Sequence, residues 1–74
     1  GPKSKHPPAL QAAILQTEHR FKVRCAQQPR TRQELRSYAN PEITDALLRR
    51  MLNRMGRRPD GIEFRDGLWY RRTA

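Results

Sequence analysis

The segment between Glu42 and Asn53 carries polar side chains of the types that hydrogen-bond the edges of nucleic-acid bases. An arginine fork can bond guanine O6 and N7, an asparagine amide can pair with adenine, and a carboxylate can accept from cytosine N4. At about 100° per residue, most of these side chains fall opposite an apolar helix face. The candidates for base contact are Glu42, Thr44, Asp45, Arg49, Arg50 and Asn53. The alternative is that they are ordinary solvated residues of an amphipathic helix.

A second group of arginines is suited to phosphate, and most of them flank the last apolar runs of the chain. Such contacts hold a nucleic acid in place without reading its sequence. Arg32 joins the group because the first turn of its predicted helix offers free N–H groups to an anion. The candidates are Arg32, Arg57, Arg58, Arg65 and Arg71, with Arg72 beside them. Alternatively, the charges near the last runs prevent edge-to-edge strand pairing, and Asp60, Glu63 and Asp66 dilute them.

The overall charge favours a polyanionic partner. The 74 residues include sixteen Lys and Arg against seven Asp and Glu, for a formal net charge of +9. Thirteen of the sixteen are Arg, whose planar fork fits phosphate and the guanine edge better than Lys does. Nucleic acid, an acidic protein surface and anionic lipid all fit this charge, and nucleic acid is favoured. The alternative is a solvated surface from a GC-rich genome, which favours Arg codons.

The sequence contains no constellation that suggests catalysis or a bound cofactor. His6 and His19 have no partner at metal-binding spacing, and no paired carboxylates occupy a credible cleft. We therefore expect no enzyme activity, no cofactor and no metal. Cys25 is the only cysteine, which fits a reducing compartment. Because no membrane-length apolar run or signal peptide is visible, we expect no membrane contact and a cytoplasmic or nucleoid-associated location, nuclear if eukaryotic.

Hydrophobic periodicity predicts three helices, at residues 9–26, 32–39 and 41–55. The second helix has the clearest start, because Thr31 and Glu34 match a capping box. For the third helix we expect Asn40 as N-cap, Pro41 at the first position and Gly56 as the C-terminal cap.

A hairpin is predicted at residues 62–64 and 68–71, because Asp66-Gly67 between two apolar runs favours a tight turn. That turn places Phe64 opposite Trp69, and we expect Trp69 to close the core. Residues 1–8 are interpreted as a tag remnant, Gly1-Pro2, and a flexible lead-in, so that residues 9–74 form one domain.

The order of these elements resembles the winged-helix (winged helix-turn-helix) family of DNA-binding domains. The resemblance is carried by Thr31-Arg-Gln-Glu-Leu35 at the start of the second helix, by Ile43 to Gly56 as recognition helix and cap, and by Arg57 to Arg72 as the wing. It covers nearly the whole chain after residue 8, although no single motif is diagnostic. It implies a mainly α fold with a small β-hairpin, a third helix in the major groove, and a wing on the DNA backbone or minor groove. The strand that usually precedes the second helix has only a doubtful place, near Arg30-Thr31.

These features predict a double-stranded DNA-binding domain of a transcriptional or mobile-element regulator, or of a larger DNA-processing protein. A winged helix that binds protein is the first alternative, and exposed Leu15 and Val23 on helix one would favour it. RNA or single-strand binding is the second, and it would need Trp69 or Tyr70 exposed for stacking.

Overall fold

The computed structural model describes residues 6–72, in which three helices precede a two-stranded hairpin. The helices are α1 (Pro8–Gln27), α2 (Arg32–Tyr38) and α3 (Asp45–Met55), and the strands are β1 (Ile62–Arg65) and β2 (Leu68–Arg71). This winged-helix-like arrangement confirms the expected fold class, mainly α with a small β-hairpin. None of the described helices combines the length and apolarity that crossing a membrane requires. Of residues 1–8, interpreted as tag and lead-in, Gly1 to Lys5 lie outside the described residues, and Pro8 belongs to α1.

The second helix begins where its capping box predicts, and the first begins one residue before its predicted start. Pro8 opens α1, where a missing N–H costs nothing. The capping box of α2 is complete: the Thr31 hydroxyl accepts from the Glu34 N–H at 3.1 Å, and a Glu34 carboxylate oxygen accepts from the Thr31 N–H at 2.8 Å. Both helices end within one residue of their predicted limits.

The predicted start of α3 is wrong by four residues. Asn40 caps a turn rather than a helix: its side-chain oxygen accepts from the Glu42 N–H at 2.8 Å, and its carbonyl accepts from the Ile43 N–H at 2.9 Å. Asparagine favours such local turns as readily as helix caps. Thr44 is the true N-cap, with its hydroxyl accepting from the Leu47 N–H at 3.2 Å. Gly56 is the C-cap, as predicted.

The hairpin has the predicted turn and register. Asp66 and Gly67 have φ values of 52° and 80°, the left-handed conformations that a two-residue hairpin turn needs. Phe64 lies opposite Trp69, with ring centroids 5.1 Å apart. The doubtful strand before α2 is present as a single bridge between Arg30 and Trp69. That bridge attaches the hairpin to the start of α2.

One apolar core joins all five elements. The chain buries Phe21 of α1, Leu35 of α2, Met51 of α3 and Ile62 of β1 with no exposed surface. Trp69 is half-buried against this core, in agreement with its predicted packing role. Its indole Nε1 is enclosed without a hydrogen-bond partner in the described part of the chain.

Candidate nucleic-acid interface

The outer face of α3 carries the candidate base-reading side chains. The helix turns one side inward, burying Leu47, Leu48, Met51, Leu52 and Met55. The opposite side is exposed and carries Asp45, Ala46, Arg49, Arg50, Asn53 and Arg54. Ala46 lies near the middle of this face and leaves room for close approach. The face therefore has the division into apolar and polar sides that the sequence predicts.

Asn53 is the centre of the exposed surface. Arg49 and Arg50 precede it by one helical turn, and Arg57, just beyond the end of α3, lines a concavity together with it. Arg32, from the start of α2, lines a concavity together with Asn53. Four arginines from α2, α3 and the segment after α3 thus lie on the same exposed surface as this amide side chain.

A groove separates α3 from the hairpin. It consists of two open concavities of about 470 and 450 Å³ that share Asn53, Phe64 and Trp69 in their lining. Arg57 lines the first concavity and Arg32 lines the second. Each concavity therefore combines aromatic surface, an amide and a guanidinium group.

Most of the arginines have partners within the chain. Nine of the thirteen donate to a carbonyl or amide oxygen, pair with a carboxylate, or lie over a tyrosine ring. These nine are Arg20, Arg24, Arg30, Arg36, Arg54, Arg58, Arg65, Arg71 and Arg72. Within residues 6–72, the other four side chains have no hydrogen-bond, ion-pair or ring partner: Arg32, Arg49, Arg50 and Arg57. The four arginines near Asn53 are thus the four that have no partner among the described residues.

Three of the predicted base-reading residues have other roles in the structure. Glu42 precedes α3 and lies in the turn beside the N-terminal half of α1, so its predicted placement on the third helix is wrong. The Thr44 hydroxyl is engaged as the N-cap. Asp45 is on α3, but its carboxylate is 2.6 Å from Arg36 of α2 in an exposed ion pair. Arg49, Arg50 and Asn53 remain the open members of the predicted set.

The predicted phosphate contacts also divide into side chains that have partners within the fold and side chains that do not. Arg71 donates from one nitrogen to the carbonyls of Asp60, Gly61 and Arg72, which fastens the hairpin to the preceding loop. Arg65 pairs with Glu63 at 2.8 Å, and Arg58 lies 3.9 Å from the buried carboxylate of Glu18.

Of the predicted phosphate contacts, only Arg32 and Arg57 are unpartnered within residues 6–72. The free N–H groups expected beside Arg32 are partly taken by its helix's own cap, because the Glu34 N–H donates to Thr31. Its own guanidinium group remains to contact a phosphate.

Sequence reasoning missed two residues of this region. Phe64 is 57% exposed on the groove, although strand alternation puts it on the same hairpin face as buried Ile62. The position of Phe64 toward the turn end of the hairpin, two residues before Asp66, is the signal that could have shown this. Arg36 holds Asp45, and no local pattern reveals a pair between two helices.

Other reactive groups in the described residues are buried or isolated. Burial raises the pKa of the Cys25 thiol to about 11, so at neutral pH it is a packed, protonated group. No three of the His, Cys, Asp and Glu side chains between residues 6 and 72 come together as a metal site.

Comparison of the chain with protein-family models, curated proteins and solved structures finds no match.

Proposed function

We propose that this chain is a winged-helix domain that binds double-stranded DNA through the outer face of α3 and the groove beside it. The observation that carries the proposal is the division of the arginines. Nine have partners within the fold, and the four without a partner among residues 6–72 lie on the same exposed surface as Asn53. A cluster of uncompensated guanidinium groups is a strong electrostatic footprint for a polyanion.

The four arginines have different tasks in this proposal. Arg32 and Arg57 flank the groove and contact phosphates on either side of α3, which sets the position of the domain on the duplex. Arg49 and Arg50 project from the helix and bond guanine edges, and Asn53 between them bonds adenine. An α-helix with short central residues such as Ala46 fits the width of the major groove. Such a domain serves a transcriptional or mobile-element regulator or a larger DNA-processing protein.

Duplex DNA is favoured over a single strand by the state of the aromatic residues. Trp69 is half-buried against the core, and the Tyr70 ring lies under the Arg65 guanidinium at 4.2 Å. Both side chains are only partly exposed, which leaves less ring surface for a stacked base than a fully exposed aromatic residue offers. Phe64 is the exposed aromatic side chain of the groove, so single-strand binding remains a measurable alternative at that residue.

The test is a titration of isotope-labelled protein with random-sequence duplex DNA, read by amide chemical shifts. We expect the amides of residues 49–57 and 64–67 to move, and those of the outer side of α1 to stay. The logarithm of the affinity should fall linearly with the logarithm of the salt concentration, with a slope of about −0.9 for each phosphate neutralised. A flat salt dependence, or tighter binding of the single strand than of the duplex, would contradict the proposal.

Protein binding is the second candidate, because Leu15 and Val23 of α1 are 66% and 42% exposed. They are eight residues apart, about 80° around the helix, and line separate concave surfaces rather than one apolar face. The same labelled protein distinguishes this candidate: an acidic peptide would shift the amides of α1, while duplex DNA would shift nothing.

A further inference from the structure

The groove contains an apolar side chain that the core does not need. Ile62, two residues before Phe64 on the same hairpin face, is fully buried, whereas Phe64 is more than half exposed. The Phe64 ring packs against the Trp69 ring, with centroids 5.1 Å apart and the ring planes at 50°. Its exposed side presents apolar surface close to Asn53, since both residues line the two concavities.

We propose that this groove reads an A·T base pair, with the thymine methyl group on the Phe64 ring and the adenine edge on the Asn53 amide. The C5-methyl of thymine is the apolar feature of the major groove, and phenylalanine is one of the side chains that contacts it. Asparagine bonds adenine N6 and N7 in a bidentate pair. The inference rests on the proposed function, because it requires a duplex that lies along α3.

The charges around the groove favour the same occupant. Arg57 and Arg32 each line one concavity, and their guanidinium groups are unpaired within residues 6–72. Glu63 is the acidic side chain in the lining, and its carboxylate is neutralised by Arg65 at 2.8 Å and Arg72 at 3.2 Å. A base pair at Phe64 and Asn53 therefore has cations on both sides for its flanking phosphates.

The experiment compares a mixed-sequence duplex of A·T and G·C pairs, two helical turns long, with the same duplex in which deoxyuridine replaces thymidine. Deoxyuridine pairs with adenine but lacks the methyl group. We expect the wild-type protein to bind the thymidine duplex about fourfold more tightly, the effect of burying one methyl group. Phe64→Ser should abolish the difference, and Phe64→Leu, which keeps an apolar contact, should retain part of it. Leu15→Ser, which changes an even more exposed apolar residue on α1, should leave the difference unchanged.

A second arm tests the adenine edge by placing 7-deazaadenine, which lacks the N7 acceptor, in the thymidine duplex. Wild-type affinity should fall about fivefold for the loss of one hydrogen bond, and Asn53→Ala should bind both duplexes equally.

The outcomes separate the two proposals. Equal binding of thymidine and deoxyuridine duplexes by a protein that still binds duplex DNA overturns the A·T inference alone. Absence of duplex binding overturns both, and tighter binding of single-stranded oligothymidylate would reassign Phe64 to base stacking.

Discussion

Arg30 and Trp69 exchange two backbone hydrogen bonds, with the Arg30 N–H donating to the Trp69 carbonyl at 3.0 Å and the Trp69 N–H donating back at 2.7 Å. The Arg30 side chain is also engaged, since its nitrogens donate to the Arg24 carbonyl, the Gln27 amide oxygen and the Tyr38 hydroxyl. It is 8% exposed, so these bonds are shielded from water. One residue thereby joins the C-terminal ends of α1 and α2 to the hairpin.

Arg30→Ala should destabilise the domain by about 2–4 kcal/mol, because it leaves several buried polar groups without a partner. Arg32→Ala is the matched control: Arg32 is exposed and has no partner within residues 6–72, so its removal should change stability by less than about 0.5 kcal/mol. Chemical unfolding followed by circular dichroism measures both. Equal losses in the two variants would show that Arg30 is not a structural junction.

Two arginines of α3 should separate stability from binding. Arg54 lies 3.0 Å from Glu18, whose side chain is 7% exposed, whereas Arg50 is exposed with no partner among the described residues. Arg54→Ala should cost about 1–2 kcal/mol of unfolding free energy, less than for a fully buried pair, because Arg54 is half-exposed and Arg58 stays near the carboxylate.

For Arg50→Ala we expect less than about 0.5 kcal/mol of lost stability but a clear loss of duplex affinity. Thermal unfolding and DNA binding are measured on both variants. A larger binding defect in folded Arg54→Ala than in Arg50→Ala would contradict this division of roles.

Arg57→Ala should weaken binding to every duplex alike and reduce the slope of log affinity against log salt by about 0.9, the signature of one lost phosphate contact. Anisotropy of labelled duplexes at several salt concentrations gives the slope. Arg20→Ala removes the same charge from α1, where Arg20 donates to the Tyr38 carbonyl, and should leave the slope unchanged.

Arg49→Ala should instead lower the discrimination between duplex sequences, because its fork is proposed to bond a base edge worth about 1–3 kcal/mol of discrimination. Selection of bound duplexes from a random pool measures the preference. If Arg49→Ala keeps the wild-type preference and Arg57→Ala loses it, the two proposed roles are exchanged.

Cys25 should make stability depend on pH in the alkaline range. Burial raises its thiol pKa from 9.0 to about 11, so the unfolded chain loses this proton at a lower pH than the folded chain does. Stability relative to a Cys25→Ala variant is therefore constant below pH 9.0 and falls between pH 9.0 and about 11. A drop of about 1–3 kcal/mol follows from a shift of this size. Urea unfolding of both proteins across this range measures it, and a constant difference would contradict the thiol's burial.

Local patterns predict the elements of this fold well. The capping box at Thr31, the Asp66-Gly67 turn and the apolar side of α3 depend on residues close in sequence, and each is found as predicted. The start of α3 could not be predicted in the same way, because Asn40 and Thr44 are both good caps. The backbone N–H of Asn40 donates to the hydroxyl of Thr17 on α1 at 3.2 Å, a contact across 23 positions that favours the turn.

The sequence predicts which residue types form the candidate site, but not which arginines keep a guanidinium group free to bind a partner. Thirteen identical side chains give no sign of which ones will find a carbonyl, a carboxylate or a ring after folding. Arg71 and Arg57 look equally suited to phosphate in the sequence. In the structure, however, Arg71 donates hydrogen bonds to three backbone carbonyls of the chain itself. Such partners come from distant elements, and only the folded chain distinguishes a structural arginine from an available one.

The position of Trp69 gives this protein an intrinsic fluorescence signal for both folding and binding. The chain contains one tryptophan, and that residue packs against the core while it lines both concavities of the groove. Its emission therefore responds to loss of the core and to an occupant of the groove. A single chromophore, with no added dye, can report unfolding in one titration and occupancy in another.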